Sequence, residues 1–153
     1  MRRFPVLLAS LTCSLLVLTA ATASGTVSNS GPLTGSFTVG LSGAQEVPPA
    51  DPDGSGTAQV RLEVLNNRVC YALRVANIAP STVAHIHNAP AGVNGPIVVD
   101  FVAPTLRASG GCTSPRASAP SDTVQNIINH PEQYYVNVHN SPFPGGAVRG
   151  QLG

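Results

Sequence analysis

The sequence predicts an all-β domain: an antiparallel, Greek-key-like β-sandwich with one short helix. Three observations carry this. Several short segments alternate apolar and polar residues with the two-residue period of a strand. Clusters of Gly, Pro, Asn and Asp separate those segments, drawing on 15 glycines and 14 prolines. One stretch alone, Asp122 to Asn129, has helical spacing, with Ser121 placed to cap it and Pro131 to stop it.

The 153 residues suffice for one domain. Residues 1–23 are expected to be a signal peptide and no part of the fold. Arg2 and Arg3 form its charged start, an apolar run follows from Val6 to Leu18, and Ala21-Thr22-Ala23 supplies a small-residue cleavage site. The run is shorter than the roughly 20 residues of a spanning helix. The expected product is secreted or periplasmic, with no membrane span after cleavage. Loss of Arg2 and Arg3 leaves 8 − 2 = 6 basic against 7 acidic residues, a net charge of −1, and the chain has no lysine. Such a balance gives no attraction to nucleic acid or to an anionic membrane.

Residues 24–35, rich in Gly, Ser, Thr and Asn, read as a flexible lead-in to a domain over 36–153. Ser36 to Leu41 alternates and forms a first strand. Gln45 to Gly56, with its Pro and Asp residues, is a loop. Thr57 to Leu65 alternates strictly, with Val60, Leu62 and Val64 facing in and Gln59, Arg61 and Glu63 facing out. Asn66-Asn67 suits a two-residue turn. Arg68 to Val75 returns, with Val69, Tyr71, Leu73 and Val75 facing in. Val83 to His87 and Ile97 to Val102 are strands around a Gly-containing loop. Pro104 to Pro120 reads as a long polar loop. Tyr134 to His139 and Ala147 to Leu152 close the domain.

Cys70 and Cys112 are the two cysteines left after cleavage, and an exported pair reads as a disulfide. Cys70 falls on the outer face of its strand, within reach of the loop expected to carry Cys112.

Four motifs in order resemble the CHRD domain, named for chordin. They are Leu41-Ser42-Gly43-Ala44-Gln45-Glu46-Val47-Pro48-Pro49; His85-Ile86-His87 with Asn94-Gly95-Pro96-Ile97-Val98; Tyr135-Val136-Asn137-Val138-His139; and Pro144-Gly145-Gly146-Ala147-Val148-Arg149-Gly150-Gln151-Leu152. The resemblance spans Ser36 to Leu152 and implies an exported, β-rich, non-catalytic domain that binds or scaffolds an extracellular ligand. Ala147 stands where the family often has an acidic residue. Growth-factor binding does not carry over, because chordin owes it to other modules.

The chemistry concentrates on histidine. His85 and His87 lie two apart, so both imidazoles leave one strand face while Ile86 points to the core. His139 shares its own face with Tyr135 and Asn137. If the two strands are neighbours, three imidazoles converge on a site suited to copper or zinc. The competing reading gives the same residues a structural role, hydrogen-bonded to Asn137, Tyr135 or loop carbonyls. A His-x-His strand, a disulfide and an arginine before the last strand also resemble, remotely, copper/zinc superoxide dismutase, with Arg149 as an anion guide. The one further histidine, His130, cannot complete a dinuclear site.

Weaker signals have ordinary explanations. Asp51-Pro52-Asp53-Gly54-Ser55-Gly56 starts like a calcium loop, but Leu62 occupies the twelfth position, which needs a carboxylate. Glu46 reads as an anchor of its turn, and Arg149 as a partner of Glu46 or of loop carbonyls. No nucleophile elbow, P-loop or paired-cysteine zinc motif occurs. Two function classes remain: a non-catalytic exported binding domain, and a mononuclear copper or zinc protein.

Overall fold

The computed structural model describes residues 31–153; the expected signal peptide and the first part of the lead-in lie outside the described residues. The strands are β1 (Thr34–Ser42), β2 (Ser55–Glu63), β3 (Arg68–Ala76), β4 (Ser81–Asn88), β5 (Ile97–Phe101), β6 (Ala108–Thr113), β7 (Tyr134–Asn140) and β8 (Val148–Gln151). One α-helix, α1 (Thr123–Asn129), and two 3-10 turns complete the described residues. The expected all-β antiparallel fold with one short helix is therefore present.

All eight strands join one antiparallel sheet in the order β5-β4-β7-β8-β1-β2-β3-β6. The last strand returns to lie beside the first, the Greek-key feature. The two ends of the sheet then meet. Tyr71 of β3 stacks on Phe101 of β5, with centroids 4.0 Å apart, and its hydroxyl accepts from Val102 N at 2.8 Å. Arg116 N, beyond β6, donates to Val98 O at 2.8 Å, and the Arg116 guanidinium grips Asp100. Inward residues of β1 to β5, β7 and β8 form one core with Val124 and Ile127 of α1.

The β2–β3 hairpin follows its alternation: Ala58, Val60, Leu62, Val69 and Leu73 are almost wholly buried. Its turn is longer than expected. Glu63 pairs with Arg68, leaving Val64–Asn67 as a four-residue loop in which Asn67 takes φ +44°. Val64 leaves the ladder and packs at the core margin. β1 starts at Thr34, two residues ahead of the expected Ser36, where it pairs with Glu63.

Two expectations need correction. The 104–120 segment is no continuous loop, because β6 lies within it and pairs with β3. Ala108-Ser109-Gly110-Gly111-Cys112-Thr113 has little intrinsic strand preference; the open edge of β3 supplies its partners. Cys112 thus faces Cys70 in register, with the sulfurs 2.08 Å apart. Ser121 does not cap α1. The N-cap is Asp122, no side chain caps the helix, and the chain enters it through a turn in which Thr123 N and Oγ1 both donate to Pro120 O.

What positions the site is the second face of β4, β7 and β8. All seven residues of β7 are buried. One face of that strand lies on the apolar core through Val136 and Val138. The other is covered by the loop after β4, the turn after β1 and the 142–146 turn.

Candidate metal centre

On that second face the strand register sets out a grid. His85 of β4 lies opposite Asn137 of β7, which lies opposite Arg149 of β8. One row along, His87 lies opposite Tyr135, which lies opposite Gln151; His139 occupies the third row beside Val83. The parity of each strand forces this sharing, since Ala84, Ile86, Val136 and Val138 claim the core side. The expected convergence of His85, His87 and His139 is therefore present, and one ligand atom from each lies within 4.8 Å of the others. The three are buried, at 7%, 8% and 8% exposure, because the flanking loops close over them.

The loops also orient the rings. His87 Nδ1 lies 2.8 Å from Gly95 O, and His139 Nδ1 lies 3.0 Å from Pro144 O. A carbonyl only accepts, so both protons sit on Nδ1 and both Nε2 atoms carry free lone pairs. His87 Nε2 is buried with no hydrogen-bond partner. His139 Nε2 lies 3.2 Å from His85 Nδ1. Without a metal, His85 Nδ1–H donates across that gap. Moving the proton to His85 Nε2, 3.6 Å from the Asp100 carboxylate, frees Nδ1 as a third ligand. An imidazole whose other nitrogen is fixed by an oxygen is the usual arrangement of a metal-bound histidine.

The electrostatics keep the rings neutral. Burial, then the neighbouring His139 and His87, hold His85 down at about 4, against a small opposing pull from Asp100. Burial also lowers His87 and His139. Neutral imidazole is the form that ligates. Nitrogens bonded at about 2.1 Å to one tetrahedral ion stand about 3.4 Å apart. One pair here already stands at 3.2 Å, and the 4.8 Å limit leaves the rest to modest ring movement.

Arg149 is placed as a clamp. It is 2% exposed, with Nη1 donating to Asn94 Oδ1 at 3.0 Å and Nη2 to Val93 O at 2.6 Å. Its guanidinium carbon sits 3.4 Å from the Tyr135 ring centroid, and Tyr135 stacks on His87 at 4.7 Å. Arg149 thus secures the loop whose Gly95 carbonyl orients His87. Gly95 tolerates no side chain, because a Cβ there would run into the Asn88 backbone. Of the two partners expected for Arg149, the loop carbonyls are present, while no ion pair joins it to Glu46 among the described residues. Glu46 is 5% exposed, and its Oε1 has no hydrogen-bond partner. Burial pushes its carboxyl up to about 7, against the pull of Arg149.

The remaining candidates lie elsewhere. His130 is exposed at the end of α1, with Nδ1 3.8 Å from Glu132. Asp51 accepts from Gly54 N at 3.2 Å in a turn, and Leu62 is fully buried in the core, so that loop lacks the twelfth-position ligand. Sequence reasoning missed Asp100 and the carbonyls of Gly95 and Pro144. The two carbonyls lie in the motif segments Asn94-Gly95-Pro96 and Pro144-Gly145-Gly146, but nothing in those segments marks a backbone oxygen, and Asp100 lies outside them.

No helix among the described residues is long and apolar enough to cross a membrane. No curated protein and no solved structure matches the chain. The family model of the CHRD domain matches residues 37–152, which run from the first strand through the last and include the whole histidine face. The chain belongs to the CHRD domain family.

Proposed function

We propose that this chain is an exported, non-catalytic binding domain whose histidine face takes up one transition-metal ion, copper or zinc. The observation that carries the reading is the buried group His85, His87 and His139, with His87 Nε2 left without a partner. A buried polar atom without a partner costs roughly 1–3 kcal/mol. An ion at the centre of the three rings would relieve it. Three histidines with one carbonyl-fixed proton on each of two rings favour one ion over the two of a dismutase. Export is supported by the charged and apolar pattern of residues 1–23 and by the close Cys70–Cys112 pair.

Metal analysis of protein purified from its own compartment tests this directly. Close to one equivalent of copper or zinc is expected, falling to background in His87→Ala with strand content retained in circular dichroism. Equal, weak uptake by both proteins would leave the histidines as a hydrogen-bonded layer of a domain that binds some other ligand. The exported protein should begin near Ser24; a mass that retains residues 1–23 would overturn signal cleavage.

A further inference from the structure

Asn137 is the one other buried polar side chain in contact with this group that lacks a partner for its acceptor. It is 2% exposed, and Oδ1 accepts no hydrogen bond. Its position shares one face with every member of the cluster. It lies directly opposite His85 in the β4–β7 register, diagonal to His87 one row along, and two residues before His139 on the same face. The unsatisfied atoms of this face, His87 Nε2 and Asn137 Oδ1, are both lone-pair bearers. With His87 keeping its proton on Nδ1 for the Gly95 carbonyl, Oδ1 and Nε2 present lone pairs to each other, and without a metal only a turned carboxamide, donating from Nδ2 to Nε2, pairs them. A shared cation satisfies both at once.

We propose that Asn137 completes the site, its Oδ1 joining one nitrogen from each of His85, His87 and His139 in a closed four-ligand set for a divalent ion. This rests on the metal reading above and adds to it. A carboxamide oxygen is a hard ligand, which favours a divalent ion over copper(I). Four protein ligands leave no open position for substrate, the mark of a site that holds its metal and does no chemistry with it. The covering loops agree, since all four residues are more than nine-tenths buried.

Cobalt(II) serves as the probe, in the full exported protein after metal removal. The wild type is expected to give an intense four-coordinate d–d spectrum that azide does not change. Asn137→Ala should lose intensity, become azide-sensitive and bind zinc roughly tenfold more weakly. Asn137→Asp, which keeps an oxygen in place, should restore the azide-insensitive spectrum and so separate ligation from folding damage. A wild-type spectrum that azide shifts, or an Asn137→Ala spectrum identical to wild type, overturns the role of Asn137 while leaving a three-histidine site. Failure of the wild type to take up cobalt or zinc overturns the metal reading itself.

Discussion

Metal-free protein should lose stability in mild acid through its histidine cluster, and His85 allows the size of that loss to be worked out. Its imidazole titrates at about 4 in the folded chain, against an ordinary value of 6.5, with burial as the main cause. Between those values the unfolded chain binds the proton and the folded chain does not. Stability therefore rises with pH across this window and is lost as pH falls through 6.5 towards 4. From pH 7 to pH 5 the linkage relation gives about 1.8 kcal/mol, and solvent screening at the rim of the site trims this to about 1 kcal/mol. His85→Asn removes the titration while keeping a polar side chain. Urea unfolding of both metal-stripped proteins at the two pH values reads the difference. On going from pH 7 to pH 5, wild type should lose about 1 kcal/mol more than the variant, a relative midpoint shift of about 0.7 M. The subtraction is essential, because Glu46 works in the opposite sense. Its folded carboxyl titrates at about 7, so its protonated form stabilises the fold below that value and the benefit fades as pH rises from 4.5 through 7. In the wild-type profile Glu46 opposes His85, while the lowered His87 and His139 add in the sense of His85. A stability gap between wild type and His85→Asn that stays constant with pH would refute the argument.

Other consequences follow from the same geometry. Glu46→Gln should gain on wild type as pH rises from 5 to 8, by about 1 kcal/mol after screening, since only the wild type must ionise a buried carboxyl; thermal melts across that range check it. Gly146→Ala should destabilise by roughly 1–3 kcal/mol, because the position has φ +139° and the new Cβ would run into the Glu46 carboxylate. The same variant should weaken metal uptake, since the turn it distorts carries the Pro144 carbonyl that orients His139; unchanged melting would contradict the close approach. Alkylation and mass mapping of unreduced protein should find no free thiol at Cys70 or Cys112. Replacing both by serine should cost about 4 kcal/mol on the chain-entropy account of a 42-residue separation.

Much of the fold was legible where one face meets the core and the other meets water. The β2–β3 hairpin alternates for that reason, and its buried and exposed residues fall as the pattern requires. β6 was not legible, because Ser109, Gly110 and Gly111 carry no alternation to read; the open edge of β3 makes them a strand. The turn at Val64–Asn67 misled because Val64 continues the apolar pattern of β2 after the ladder has ended.

The site divides along the same line. Residue type and strand parity sufficed to bring His85, His87 and His139 to one face, and the register of β4 with β7 confirms that placement. Parity alone also implies that a face turned from the core meets solvent, and here that inference stops short. Gly95 and Pro144 supply backbone oxygens, which every residue possesses, so side-chain pattern could not mark them. Yet these two carbonyls decide which nitrogen of each ring carries the proton, and the loops that bear them exclude water from the rings. A three-histidine face becomes a candidate metal centre through that closure. The loop clamp, Arg149 on Asn94 and Val93, therefore matters to the chemistry as much as the histidines do, though it would touch no metal.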